Sequence, residues 1–251
     1  MVYRARDRTT GAVVAIKLTA EGPEDAQAAS HLFHLHHPDI AAVHATGRRG
    51  LLHYSVMELA QGRDLRHHTD PAALLPLATT VELIARVARA LHYAHDRGIL
   101  HGDVKPANIV FDPATGALKL TDFGTGAGTP GYLAPERFCG LPASTASDQF
   151  ALGVTLYQLA CGRLPFTGRS RPEIAARVVH EPPTPIIHHL PDAPAALAEC
   201  LDRALARTAR ARYPDALAFA RAVEAARPHC ARPAAVRMNG PVAGSALAHA
   251  S

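Results

Sequence analysis

The sequence contains no CxxC pair; its four cysteines, Cys139, Cys161, Cys200 and Cys230, are scattered. That spacing excludes a zinc site or a disulfide frame and reads as free thiols in a reducing compartment. No apolar signal core stands near the N-terminus, and no run approaches the ~20 residues a membrane helix needs. The expectation is a cytoplasmic protein with no membrane segment in this chain. The net charge is only +4, which suits an anionic ligand but is too small to argue for nucleic acid as a partner. Sixteen histidines are present, and His34, His36 and His37, His67 and His68, and His188 and His189 cluster. Adjacent side chains point apart on a helix or strand, and no cysteine or acid stands at ligand spacing, so these clusters do not read as a transition-metal site. What the chain has is apolar residues, 48% of 251. This is enough for one large domain or two small lobes with a real core, and it excludes wholesale disorder.

Residues 2–6 alternate like a strand, 7–11 carry turn chemistry and 12–18 alternate again, which predicts a β-hairpin. Ala15 and Lys17 share one face of its second strand. Alone, Lys17 reads as a solvated strand lysine. A weakly amphipathic helix is expected over 24–35, and a strand over 51–57 that leaves through Glu58-Leu59-Ala60-Gln61-Gly62 as a connector. Asp64 then stands either to meet a ribose or as a turn acid. Residues 79–97 give the clearest helix. Thr79 and Glu82 suggest a capping box, Val81, Ile84, Val87, Leu91 and Ala94 an apolar stripe, and Gly98 a stop. A second hairpin is expected from Ile109-Val110-Phe111 to Leu118-Lys119-Leu120. Residues 147–160 are apolar nearly all round and predict a buried helix ended by Gly162. Two further helices are expected over 195–207 and 214–225, after a five-proline loop over 182–194. From 227 to 251 the Ala/Pro/Gly-rich composition predicts a disordered tail.

Between these elements lies His101-Gly102-Asp103-Val104-Lys105-Pro106-Ala107-Asn108, followed by Asp122-Phe123-Gly124 and Ala134-Pro135-Glu136. An acid two residues before a lysine and five before an asparagine suits phosphate and magnesium. The acid accepts a hydroxyl proton, the lysine neutralises a moving phosphoryl group, and the amide oxygen ligates a hard cation. Asp122 adds a second carboxylate for the metal. The run from Gly124 to Gly128 is glycine-rich, but Pro130 and Pro135 follow where a dinucleotide site needs a helix, so it does not read as one.

With Val14-Ala15-Ile16-Lys17 ahead of them, these blocks resemble the protein-kinase family, specifically bacterial serine/threonine kinases, over residues 2–225. The resemblance implies a two-lobed α+β fold, a small antiparallel β lobe over 1–60 and a larger, mainly helical lobe over 61–226. It implies ATP and Mg²⁺ as cofactors and a protein bearing Ser or Thr as substrate. Asp103, Lys105 and Thr129 would form the catalytic group, with Thr129 bonded to the other two as a mark of Ser/Thr specificity. Asn108 and Asp122 would hold magnesium. ATP would be bound by Lys17, Val2, Ala15, Met57 as gatekeeper, and the backbone of Glu58 and Ala60. Asp148 would bond the catalytic-loop backbone, and Arg212 would pair with Glu136.

The sequence departs from the family in three places. It begins where the glycine-rich loop should end, and the intact hairpin that follows suggests a true start upstream. Ala28 occupies the position of the helix glutamate that pairs with the strand lysine, with Glu24 one turn earlier. Gly102 replaces the arginine that answers an activation-loop phosphate, and the segment from Asp122 to Glu136 is short. The expectation is therefore that phosphorylation there does not switch the protein on. The alternatives are a pseudokinase acting as a regulatory binding module, or a small-molecule phosphotransferase. The latter shares the H-G-D pattern but is opposed by Lys105, the full D-F-G and A-P-E.

Overall fold

The structure, a computed structural model, describes residues 1–19, 31–124 and 128–230. Strands β1 (Val2–Arg6) and β2 (Val13–Thr19) form the expected hairpin; at its turn Asp7 Oδ1 accepts the amides of Thr9 and Thr10. They join β3 (Val43–Arg49) and β4 (Leu52–Glu58) in one antiparallel sheet of order β1-β2-β4-β3. Strand β3 has no counterpart in the sequence-based expectations. Its residues, VHATGRR, lack the apolar alternation of a half-buried strand. Gly47 lies there because it faces Tyr54 across the ladder, and a Cβ would fall 2.5 Å from the tyrosine oxygen.

A second sheet of order β5-β6-β7 follows, from β5 (Arg63–Asp64), β6 (Ile109–Asp112) and β7 (Ala117–Leu120). The rest is mainly helical. Helix α1 spans Leu77–His95 and buries Val81, Ile84, Val87, Leu91 and Ala94. It begins two residues before the expected start. Its N-cap is Pro76, whose side chain offers no cap bond, so Thr79 and Glu82 lie inside the first turns and form no capping box. Glu82 instead pairs with Arg227 across the lobe. A short α2 (Pro135–Phe138) precedes α3 (Thr145–Cys161), which carries a genuine capping box between Ser144 and Ser147 and buries most of its side chains. Helices α4 (Arg171–His180), α5 (Ala195–Ala204) and α6 (Ala216–Cys230) complete the lobe. Helix α6 continues to Cys230, past the residue at which the tail was expected to begin; residues 231–251 lie outside the described part.

One apolar cluster joins α1, α3, α5 and α6. Each fully buried Leu, Val or Phe in it contributes about 1.5–3 kcal/mol. Of the helix expected over 24–35, residues 24–30 lie outside the described part, and Leu32–His34 form a 3₁₀ turn. Among the described residues no helix is long and apolar enough to cross a membrane. The four cysteines are all free.

Candidate active site

Helix α1 ends at a glycine turn and releases the chain into the loop 101–108. The start of α3 fixes that loop. Asp148 is 1% exposed; its Oδ2 accepts the His101 amide at 2.8 Å and its Oδ1 the Gly102 amide at 2.8 Å. His95 Nε2 lies 2.9 Å from the same Oδ2. Burial alone would push the Asp148 carboxyl up, but the bonds it accepts from His95 and the His101 amide hold it below the usual carboxylate value. Gly102 takes φ +80°, a backbone conformation that side-chain-bearing residues avoid.

His101 is fully buried and carries both its ring nitrogens into bonds. Nε2 sits 2.8 Å from the Thr121 carbonyl, so it holds the proton, and Nδ1 accepts the Asp103 amide at 3.2 Å. Desolvation lowers the pKa of this imidazole, which therefore stays neutral. Its ring lies 4.6 Å from that of Phe123, and its carbonyl accepts the Gly124 amide. The H-G-D and D-F-G segments are thus fastened together through one histidine.

The side chains of that loop converge. Lys105 Nζ is 2.5 Å from Asp103 Oδ2 and 2.6 Å from Thr129 Oγ1, while the Thr129 hydroxyl donates to Asp103 Oδ1 at 2.8 Å. Asn108 Nδ2 donates to the Asp103 carbonyl at 2.8 Å. That bond turns its amide nitrogen inward and leaves Oδ1 as a hard oxygen donor. Across the cleft, Lys17 Nζ is 2.8 Å from Asp122 Oδ1. Asp122 is the one non-glycine residue at positive φ (+64°) among the described residues. Aspartate tolerates this region better than most residues, and such strain gathers at functional positions. The carboxylate of Asp122 and Oδ1 of Asn108 are the oxygen chemistry that Mg²⁺ takes.

The β-ladder places Val2, Ala15, Lys17 and Met57, expected from the sequence to line a nucleotide, on one face. Val2 lies opposite Lys17 and Ala15 opposite Met57, so these four side chains point the same way. Ala15 and Met57 are buried and Val2 is exposed. The Glu58 amide donates to the Ala42 carbonyl at 2.8 Å. Ala60 has no hydrogen-bond partner for its backbone among the described residues. Asp64 caps the turn after β5 and binds the Arg66 guanidinium through both oxygens at 2.8 Å; this is turn-acid geometry.

Below the loop, Arg212 is 2% exposed and grips Glu136 with two bonds of 2.6 and 2.8 Å. It also donates to the carbonyls of Ala146, Ala206 and Arg207 and lies over the Phe150 ring. The Tyr132 hydroxyl donates to Gln158, and burial pushes its pKa up to about 12, so it remains a donor.

Glu24, Ala28 and Thr125 lie outside the described residues. Two further contributors carry no mark in the sequence. His95 is one of sixteen histidines, and only the fold brings it to Asp148, 53 positions away. Lys119 reads as a strand lysine, yet its Nζ lies 2.8 Å from Glu58 Oε1. Among the described residues no group of three or more His, Cys, Asp or Glu gathers at metal-binding distance.

Comparison with known proteins gives the family and the fold. Residues 1–214 match the protein kinase domain family model. Serine/threonine-protein kinase PknA of Mycobacterium tuberculosis is 36% identical, over 90% of this chain and 58% of its own length. Probable serine/threonine-protein kinase PknB of Lactococcus lactis is 32% identical, over 85% of this chain and 38% of its own. The chain therefore spans little more than half, or less, of these relatives. The crystal structure of Rad53 residues 1–466 in complex with AMP-PNP superposes with a TM-score of 0.76 at 26% identity, covering 91% of this chain and 61% of that one. Family model, relatives and two-lobed architecture agree, and the chain belongs to the protein kinase domain family, on its bacterial serine/threonine branch.

Proposed function

We propose that this chain is an ATP- and Mg²⁺-dependent protein serine/threonine kinase domain, passing a γ-phosphoryl group to a Ser or Thr hydroxyl of a protein substrate. The observation that carries the reading is the Asp103–Lys105–Thr129 triangle, with all three contacts at 2.5–2.8 Å. Asp103 orients the acceptor hydroxyl and takes its proton. Lys105 places a positive charge where the transferring phosphoryl carries its negative charge. Thr129 holds the two in register from the docking loop. Asn108 Oδ1 and the Asp122 carboxylate would hold the metal, which when bound neutralises the phosphates. Lys17, now paired with Asp122, would turn to the α- and β-phosphates. Val2, Ala15 and Met57 shape the adenine side, and the backbone of Glu58 and Ala60 meets its edge. Asp148 and the Glu136–Arg212 pair keep the loop and docking segment in place. The free thiols fit a cytoplasmic setting, where ATP is supplied. Catalysis here is positioning and electrostatics, so single groups matter steeply.

The test is transfer of labelled γ-phosphate from Mg-ATP to a generic basic protein, with Asp122→Ala in parallel. The parent is expected to transfer, and the variant to lose on the order of 10²–10³-fold or more. No transfer by the parent, with ATP still raising its melting temperature, would make the chain a nucleotide-binding pseudokinase instead.

A further inference from the structure

The junction between the lobes holds a cluster that the reaction above does not use. Only four residues, 59–62, connect the end of β4 to the start of β5. Both ends of this connector are pinned. At the far end, Arg63 and Asp64 pair with Phe111 and Val110 of β6. At the near end, the Glu58 side chain leaves β4 on the face opposite Met57. Its carboxylate meets Lys119 Nζ at 2.8 and 2.9 Å and accepts the Ala42 amide at 3.2 Å. Lys119 lies on β7, three residues before Asp122. Its neighbour Leu120 exchanges backbone bonds with Asp39 and Ala41, and Asp39 is gripped by Arg86 of α1. Three chain segments (the run 39–42, the end of β4 and the strand leading to Asp122) therefore meet at one ion pair, half-shielded from solvent at 20% and 35% exposure.

The Glu58 carboxylate leaves β4 on the face opposite the one carrying Lys17, Ala15 and Met57; on the kinase reading, the backbone from Glu58 to Ala60 meets the adenine edge. A carboxylate held from behind fixes the direction in which that backbone points. Lys119 supplies the hold from the other lobe. A pair shielded to this degree is screened less by salt than a surface pair, and its loss leaves Glu58 with one amide donor.

Resting on the kinase reading above, we propose that Lys119 is a positioning residue for the nucleotide: by clamping the Glu58 carboxylate across the lobes it sets the connector backbone that receives the adenine.

The experiment compares the parent with Lys119→Met, Lys119→Arg and Glu58→Gln, measuring steady-state transfer and, separately, binding of a fluorescent ATP analogue. Lys119→Met is expected to raise the KM for ATP and the analogue Kd roughly tenfold, between the small loss of an exposed pair and the larger loss of a fully buried one, while kcat changes by less than about threefold. Lys119→Arg keeps the charge and the reach and should restore most of the affinity. Glu58→Gln should weaken nucleotide binding in the same direction. KM for the protein acceptor should not move. If Lys119→Met folds poorly, Glu58→Gln carries the same comparison at the same pair. Unchanged analogue affinity in both variants overturns the inference. So does faster turnover at unchanged KM, which would make the pair a restraint on lobe motion. A parent that binds the analogue but transfers nothing would sink the kinase reading and leave this one standing, since binding alone reads it. A parent that binds nothing would overturn both.

Discussion

The two lobes hold their functional groups by different means. In the large lobe the loop carrying Asp103 hangs from buried polar groups. Asp148, His101 and Arg212 are each 0–2% exposed, each is bonded more than once, and all lie within a continuous apolar cluster. In the small sheet the described residues bury few side chains, chiefly Val14, Ala15 and Met57. Lys17 stands on the inner strand β2 with one ion pair among the described residues, at 21% exposure. On the kinase reading proposed above, the difference separates two tasks. The acceptor-hydroxyl side needs atoms fixed to within fractions of an ångström, and buried networks provide that. The phosphate side has to admit and release a large anion, and a lightly buried sheet carries little packing that must be broken to do so.

Substitution on each side sharpens this contrast. Arg212→Ala removes the partner of Glu136 and strips three carbonyls of their donor inside the core. Breaking such a buried pair costs about 3–5 kcal/mol, which for a chain of this size lowers the melting temperature by roughly 10 °C. Lys17→Met breaks a part-exposed pair worth about 0–1 kcal/mol, so thermal unfolding should barely shift while phosphoryl transfer collapses. Equal losses of stability from both would dissolve the distinction between the lobes.

A smaller effect should appear with acid. Burial depresses the pKa of His101 below its ordinary 6.5, so the unfolded chain binds the proton more readily than the folded one. The neutral ring's contribution is present in full above about pH 6.5 and is lost as pH falls from there through the folded value, at up to about 1.4 kcal/mol per pH unit. His37 shifts the same way, by burial first, and adds to the loss. Asp148, held low, begins to yield only at more acidic pH, below the ordinary carboxylate value of 3.8. Melting temperature measured from pH 7.5 to 5.5 should therefore fall. The slope should flatten in His101→Gln, whose amide does not titrate. An unchanged slope would mean that other histidines govern it.

How much of this was readable beforehand follows from where each partner lies. Asp103, Lys105, Asn108 and Asp122 sit in short blocks whose residue types suggest their chemistry; the first hairpin shows by alternation and the second by the turn-rich run between two apolar stretches. The supports are harder to see. His95 reaches Asp148 from 53 positions away and Lys119 reaches Glu58 from 61, and neither residue type is unusual where it stands. The capping box at Thr79 and Glu82 misled because its pattern is local. The helix start was decided by Pro76, which fixes the turn, and by the packing of Leu77 against the core. Strand β3 carries no sequence signal because Gly47 gives way to Tyr54 across the ladder and its polar neighbours bury no apolar face of their own.

The smallest expected effect concerns control. Between Asp122 and Glu136 the chain offers three hydroxyls, Thr125, Thr129 and Tyr132. Thr129 is committed to Asp103 and Lys105, and Tyr132 donates to Gln158. A phosphate that switches such a segment needs a cation to answer it. The position beside Asp103 holds Gly102, which has no side chain and whose amide belongs to Asp148. Its φ of +80° also disfavours an arginine there, by about 1–2 kcal/mol. Thr125→Ala, and the parent treated with phosphatase, should therefore retain transfer rates within about twofold of the untreated parent, a change too small to be the loss of a charge-assisted contact worth about 1.5–3 kcal/mol. A tenfold fall on phosphatase treatment, absent in Thr125→Ala because its rate is already low, would show that some other cation takes the phosphate and that the large lobe's rigidity is conditional on it.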